Sequence, residues 1–127
     1  MALAGTVIAA PFDAVWAVAG DLVNGIPRFE HDVRSIEILS QAGDRLELMT
    51  VGPLHLRMRF DANLRPGWFV MRSWAADIGM AAAPEGEGHT RFSHFEGSRW
   101  LGRIGRSWFA RQIRHDLAKL ARLVENG

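Results

Sequence analysis

In the stretch "TRFSHFEG", residues 90–97, Phe92, His94 and Glu96 alternate with Arg91 and Ser93. On a strand that spacing puts the first three on one face. If Arg91 and Ser93 meet water, an imidazole and a carboxyl two residues apart point inward together. A buried carboxylate would hydrogen-bond the imidazole and raise its pKa toward the range useful for general acid/base work. His94 and Glu96 are thus the candidate catalytic pair. A bulge or twist near Gly97 would instead leave one of them at a solvated rim, and both arrangements fit the pattern.

Other chemistries lack their residues. There is no cysteine, so disulfides and thiolate metal sites are excluded. The histidines at 31, 55, 89, 94 and 115 form no i,i+4 pair and no HExxH, and His31 falls in a loop expected to be exposed. No metal or other cofactor is expected. GxSxG, GxxxxGK[ST] and GxGxxG are missing as well, which argues against nucleophile and nucleotide enzymes.

The elements that would position His94 and Glu96 follow from periodicity. "TVIAA" reads as a strand. Pro11 then opens a short helix with Phe12, Val15, Trp16 and Ala19 on one face, and Trp16 packs it beneath the sheet. A turn-rich segment or second small helix reaches Phe29. From Val33 onward, strands are separated by turn signals at short intervals, which predicts an antiparallel meander. In "LHLRMRFDANL" the apolar side carries Leu54, Leu56, Met58 and Phe60. Phe69 and Met71 continue the inner face, with Ser73 on the same parity, placed to orient a ligand carbonyl. For any one of Met58, Phe60, Phe69, Met71 and Ser73, ordinary core is the simpler account.

One face of such a sheet needs a cover. In "RWLGRIGRSWFARQIRHDL" and the residues after it, Phe109, Ile113, Leu117, Leu120 and Val124 form one helical stripe. Leu101, Ile104 and Trp108 form a displaced second set. Seven of the fifteen basic residues lie between Arg99 and Arg122, with Asp116 the only acid among them. Because the stripe runs through the same segment, the arginines form its water-facing side. Nucleic-acid binding is disfavoured, since the aromatics are committed to packing and the net charge is only +1. Transient membrane contact through Trp100, Trp108 and the arginines stays open.

The 127 residues, 48% hydrophobic and 23% charged, suit one domain spanning residues 1–127. The opening residues lack a basic leader, and no run reaches the length of a membrane span, so cytoplasm is the default setting. Monomer and homodimer are both open.

The chain resembles the START/Bet v 1-like superfamily in its bacterial polyketide-cyclase-like (SRPBCC) branch. "IAAPFDAVWAVAGDLVNGIPRFEHDVRSIEIL" is similar to that family's opening at Ala10, Pro11, Val15, Trp16, Asp21, Pro27, Phe29, Val33 and Ser35. "GEGHTRFSHFEG" and "DLAKLARLVE" resemble its last strand and helix ending. The resemblance implies an α+β helix-grip fold: a curved antiparallel sheet of six to seven strands wrapped around a long C-terminal helix, with two short helices after the first strand. It also implies a pocket for a hydrophobic small molecule such as a lipid, polyketide or isoprenoid. The candidate lining is Phe29, Met58, Phe60, Phe69, Met71, Ser73, Phe92 and Trp108, with Phe29 and Trp108 as gate residues or plain packing.

Three functions remain open: a binding protein, a cyclase or dehydratase acting on a polyketone through His94 and Glu96, and an interaction module whose collapsed core leaves no cavity. The chain departs from its relatives in having no tyrosine and in reading Glu-His-Asp after Phe29, where relatives often have Pro-Gly.

Overall fold

The computed structural model describes residues 2–98 and 106–126. Seven antiparallel strands form one sheet: β1 (Ala2–Ile8), β2 (Ser35–Ala42), β3 (Arg45–Val51), β4 (Arg57–Arg65), β5 (Trp68–Arg72), β6 (Ala76–Pro84) and β7 (Thr90–Ser98). Their spatial order is β1-β7-β6-β5-β4-β3-β2, so a six-strand meander ends by pairing with the first strand. Between β1 and β2 lie helix α1 (Phe12–Ala19) and a 3-10 turn at Ile26–Arg28, the two short helical pieces expected there. Helix α2 (Arg106–Glu125) closes the chain.

Residues directly opposite one another in an antiparallel sheet share a face. The register therefore carries one inner row from Ala2 through Glu96, Ile78 and Met71 to Ala62. A second runs from Ala4 through His94, Met80 and Phe69 to Leu64. Except for the half-buried Ala4 and Leu64, every member is buried. The rows belong to the same face that α2 covers, and the helix packs on β1 and β7.

On α2, Ile113, Leu117 and Leu120 are buried, and Asp116 is buried with them. The positions 113, 116, 117 and 120 follow the i, i+3, i+4, i+7 rule of one helical face, so an acid stands within the apolar stripe. Arg111, Arg114 and Arg122 are exposed, in keeping with arginines on the wet side. The expectations for Trp100, Leu101 and Ile104 and for the Phe109 side chain lie outside the described residues. Among the described residues no helix is long and apolar enough to cross a membrane.

One strand boundary differs from the sequence expectation. β4 starts at Arg57, and Leu54 and Leu56 are 93% and 62% exposed instead of facing the core. Gly52 and Pro53 open a 3-10 turn whose Leu54 and His55 adopt φ of 61° and 59°. The turn is closed by a hydrogen bond from Gly52 N–H to the Leu56 carbonyl, 2.8 Å, which breaks the alternation that pattern alone suggested.

Candidate functional site

Glu30, His31 and Asp32 leave the 3-10 turn in a segment held by backbone hydrogen bonds. The N–H groups of Phe29 and Glu30 both donate to the Ile26 carbonyl, and Val33 N–H donates to Glu30. This aims the three side chains between α2 and the concave face of β7. There they meet His94, Glu96 and Asp116.

His31 is the hub. Its Nδ1 lies 2.6 Å from Asp116 Oδ2 and 3.4 Å from Glu30 Oε1, while its Nε2 lies 3.0 Å from Asp32 Oδ2 and 3.8 Å from Glu96 Oε1. His94 Nε2 is 3.2 Å from Glu30 Oε2 but out of line for a hydrogen bond. The side chains of Glu30, His94 and Asp116 are sealed from solvent, Glu96 nearly so, and only Asp32 is substantially open. The edge of the Trp108 ring stands over the His31 imidazole at 5.6 Å, at an interplanar angle of 75°.

Four carboxyl groups cannot all ionise in so small a dry volume. Burial pushes Glu96 up to about 11, helped by the hydrogen bond with Asp32 and the charge of Glu30. Burial, with Asp116 beside it, also drives Glu30 well above the usual carboxylate range. Burial works against the ionised form of Asp32 too, but hydrogen bonds with His31 and Glu96 outweigh it and hold this group below its ordinary value. Burial likewise opposes the His31 proton, yet Asp116 and Asp32 overcome it and lift the imidazole to about 10. Desolvation pushes His94 down to about 4. Near neutral pH His31 is therefore cationic, Asp32 anionic, His94 neutral and Glu96 protonated, with Glu30 pushed in the same direction as Glu96.

Beside this cluster lies a cavity of about 220 Å³. Val33, Leu56, Met58, Phe60, Met71 and Ile78 supply much of its apolar wall, and Asp32 and Glu96 are its only acidic groups among the described residues. Thr50 and Ser98 also reach it, and no described lining residue is basic. Pro53, Leu56 and Ala75 place the loops after β3 and β5 at its edge, where Leu54 and Trp74 are strongly exposed.

A curved sheet packed over a C-terminal helix, with a cavity on its concave face, can be matched against known structures. An aromatase/cyclase, Zhui, from Streptomyces sp. R1128 superposes with a TM-score of 0.69 at 18% identity, over 97% of this chain and 92% of that one. The chain has the helix-grip fold. A START superfamily protein from Mycobacterium smegmatis matches with a TM-score of 0.69 at 13% identity, over 98% of this chain and 96% of that one. A protein from Thermobifida fusca reaches 0.76 at 14% identity, over 98% and 92%. No protein-family model and no curated protein matches the sequence.

Within the helix-grip frame the candidate residues separate. Met58, Phe60 and Met71 line the cavity, as does Glu96. Phe69 and Phe92 are fully buried on the inner face without being part of the lining. Phe29, expected at a mouth, is also fully buried, because the hydrogen-bonded turn folds it beneath the sheet. The Ser73 hydroxyl is engaged locally: it donates to the Ala76 carbonyl and to Met58 Sδ and accepts from the N–H groups of Ala75 and Ala76. Trp108 is 48% exposed above His31 and is not among the lining residues.

His94 and Glu96 do face inward, and neither lies at a solvated rim. The proposed bond between them is not formed, since His94 turns to Glu30, and its pKa falls rather than rises. The raised imidazole belongs to His31, which was expected to be exposed but has a side chain only 14% exposed. Periodicity missed Glu30, Asp32 and Asp116. Two signals pointed to them: the Glu-His-Asp triplet, an unusual set after an apolar turn, and an acid at the i+3 position of a buried isoleucine.

Proposed function

We propose that the chain binds a compact hydrophobic small molecule, with a lipid-, polyketide- or isoprenoid-like skeleton, in the cavity on the inner face of β3 to β7 beside the acid cluster. The observation that carries this reading is the apolar cavity with one acidic patch, Asp32 beside Glu96. Its volume is below the roughly 300–1,000 Å³ usual for small-molecule sites, which favours a ligand of one or two rings or a short chain. Asp32 accepts hydrogen bonds, and no described lining residue offers a cation to a carboxylate. The preferred head group is therefore a hydroxyl or an amine, not a free acid.

Native mass spectrometry of protein purified from its own host, followed by titration with naphthol and with naphthoic acid, tests this. Naphthol should bind, naphthoic acid should bind at least ten-fold more weakly, and Ala76→Trp, which fills the cavity wall, should abolish both. No bound molecule and no effect of Ala76→Trp would sink the reading.

A second reading, proton-transfer chemistry of the cyclase or dehydratase type, is supported by the double position of Glu96, which faces the cavity and approaches His31 at 3.8 Å. Exchange of the α-hydrogens of a bound β-diketone with deuterated water would report it. Glu96→Gln should retain binding and lose the exchange.

A further inference from the structure

We propose that Glu30, His31, Glu96 and Asp116 form a binding site for one divalent first-row transition-metal ion, of the Zn2+, Mn2+ or Fe2+ type. The proposal does not depend on what occupies the cavity. One possible ligand atom from each of the four lies within 4.8 Å of the others. They come from three parts of the fold: the segment after the 3-10 turn, the inner face of β7 and the buried face of α2. Ligand atoms bonded to one ion at about 2.0–2.2 Å stand roughly 3 to 4.4 Å apart, so the cluster needs little adjustment.

An independent observation points the same way. His94 is outside the ligand set and sealed from solvent, yet neither of its ring nitrogens has a hydrogen-bond partner among the described residues. Its Nε2 is aimed at Glu30, 3.2 Å from Oε2. Both Glu30 oxygens, Glu96 Oε2 and Asp116 Oδ1 are likewise buried without a hydrogen bond among the described residues, although Glu30 has His31 and His94 at 3.4 and 3.2 Å. Buried polar atoms are nearly always satisfied, and an ion held by the four ligands would satisfy these carboxyl oxygens. As a purely structural device the cluster is a poor one, because apolar side chains of similar volume would be cheaper to bury.

The surroundings also have the form of an outer shell. Asp32 Oδ2 lies 3.0 Å from His31 Nε2 as an ion pair, and a small rotation would give the carboxylate-histidine hydrogen bond that orients a ligating ring. The other ring nitrogen, Nδ1, faces Asp116 and Glu30. His94 stands behind Glu30 in the same supporting role. One imidazole with three carboxylates, and no thiolate anywhere in the chain, suits borderline ions over Mg2+ and over soft ones.

The test uses chelator-stripped full-length chain and calorimetric titration with ZnCl2, MnCl2 and MgCl2. One Zn2+ or Mn2+ per chain should bind, with Mg2+ at least 100-fold weaker. Asp116→Asn and Glu30→Gln should remove that binding, and His94→Gln should weaken it by roughly 10- to 100-fold. A readout free of variants accompanies these: Mn2+ should broaden the NMR signals of His31 and of the Ile113 methyl groups and spare His89 in the exposed turn before β7. Failure of the wild-type chain to take up an ion, unchanged affinity in both ligand variants, or broadening at His89 alone would overturn the proposal. Ala76→Trp, which blocks the cavity, should leave metal uptake unchanged, so the two proposals fail separately.

Discussion

His31 Nδ1 and Asp116 Oδ2 are 2.6 Å apart although 85 residues separate them in the chain. The contact ties the segment after the 3-10 turn to the buried face of α2. It also helps His31 keep a proton against the cost of burial, whereas at His94 desolvation wins and lowers the pKa.

The two imidazoles should therefore titrate far apart. In metal-free protein, His31 should stay protonated until about pH 10 and His94 should stay neutral down to about pH 4. Long-range proton–nitrogen NMR across that range measures both. Coincident titration of the pair near pH 6.5 would contradict the assignment.

Stability should fall as pH rises from about 4.5 to 10 in the presence of chelator. His31, Glu30 and Glu96 all hold protons in the folded state that the unfolded chain releases at its ordinary values, 6.5 for the imidazole and 4.5 for the carboxyls. A folded state that binds more protons loses stability with rising pH, by at most about 1.4 kcal/mol per pH unit for each proton. His94 has the opposite sign: its folded value is depressed, so its contribution is lost as pH falls from 6.5 through about 4. Between 4.5 and 6.5 the two carboxyls outweigh the one imidazole, so urea denaturation at a series of pH values should show a maximum near 4 to 5, and Glu96→Gln should flatten the decline above it.

Phe29→Ala should destabilise the fold by about 3–5 kcal/mol, the range for deleting a fully buried ring, because Phe29 has no solvent exposure. A gate residue would lose far less. Thermal and urea unfolding of the variant distinguish these outcomes, and naphthol affinity should change little once the protein is folded.

Gly25→Ala should cost about 1–3 kcal/mol through overpacking. A Cβ at Gly25 would stand 1.8 Å from the Val18 carbonyl oxygen, which is backbone and cannot swing aside. Since the 3-10 turn that follows carries Phe29 and Glu30, the variant should also lose the low pKa of His94 and the high pKa of His31. Denaturation and the same NMR titration read both effects.

Much of the fold was legible because its signals are local. Alternation in "TRFSHFEG" placed Phe92, His94 and Glu96 on one face, and helical spacing found Ile113, Leu117 and Leu120. The error at Leu54 and Leu56 arose because a Gly-Pro pair reset the backbone, an effect that outweighs hydrophobic alternation over so few residues.

The amino-acid order by itself determined the antiparallel meander, the covering helix and the inward direction of His94 and Glu96, since each depends on periods of two or 3.6 residues. Only the tertiary structure decided which groups meet. Glu30, His31 and Asp32 lie 80 or more residues from Asp116 and over 60 from His94, and no spacing rule spans such distances. Burial and proximity then set the charges. Two histidines of the same intrinsic chemistry end with opposite shifts because contacts with Asp116 and Asp32 outweigh desolvation at His31, while desolvation wins at the more deeply buried His94.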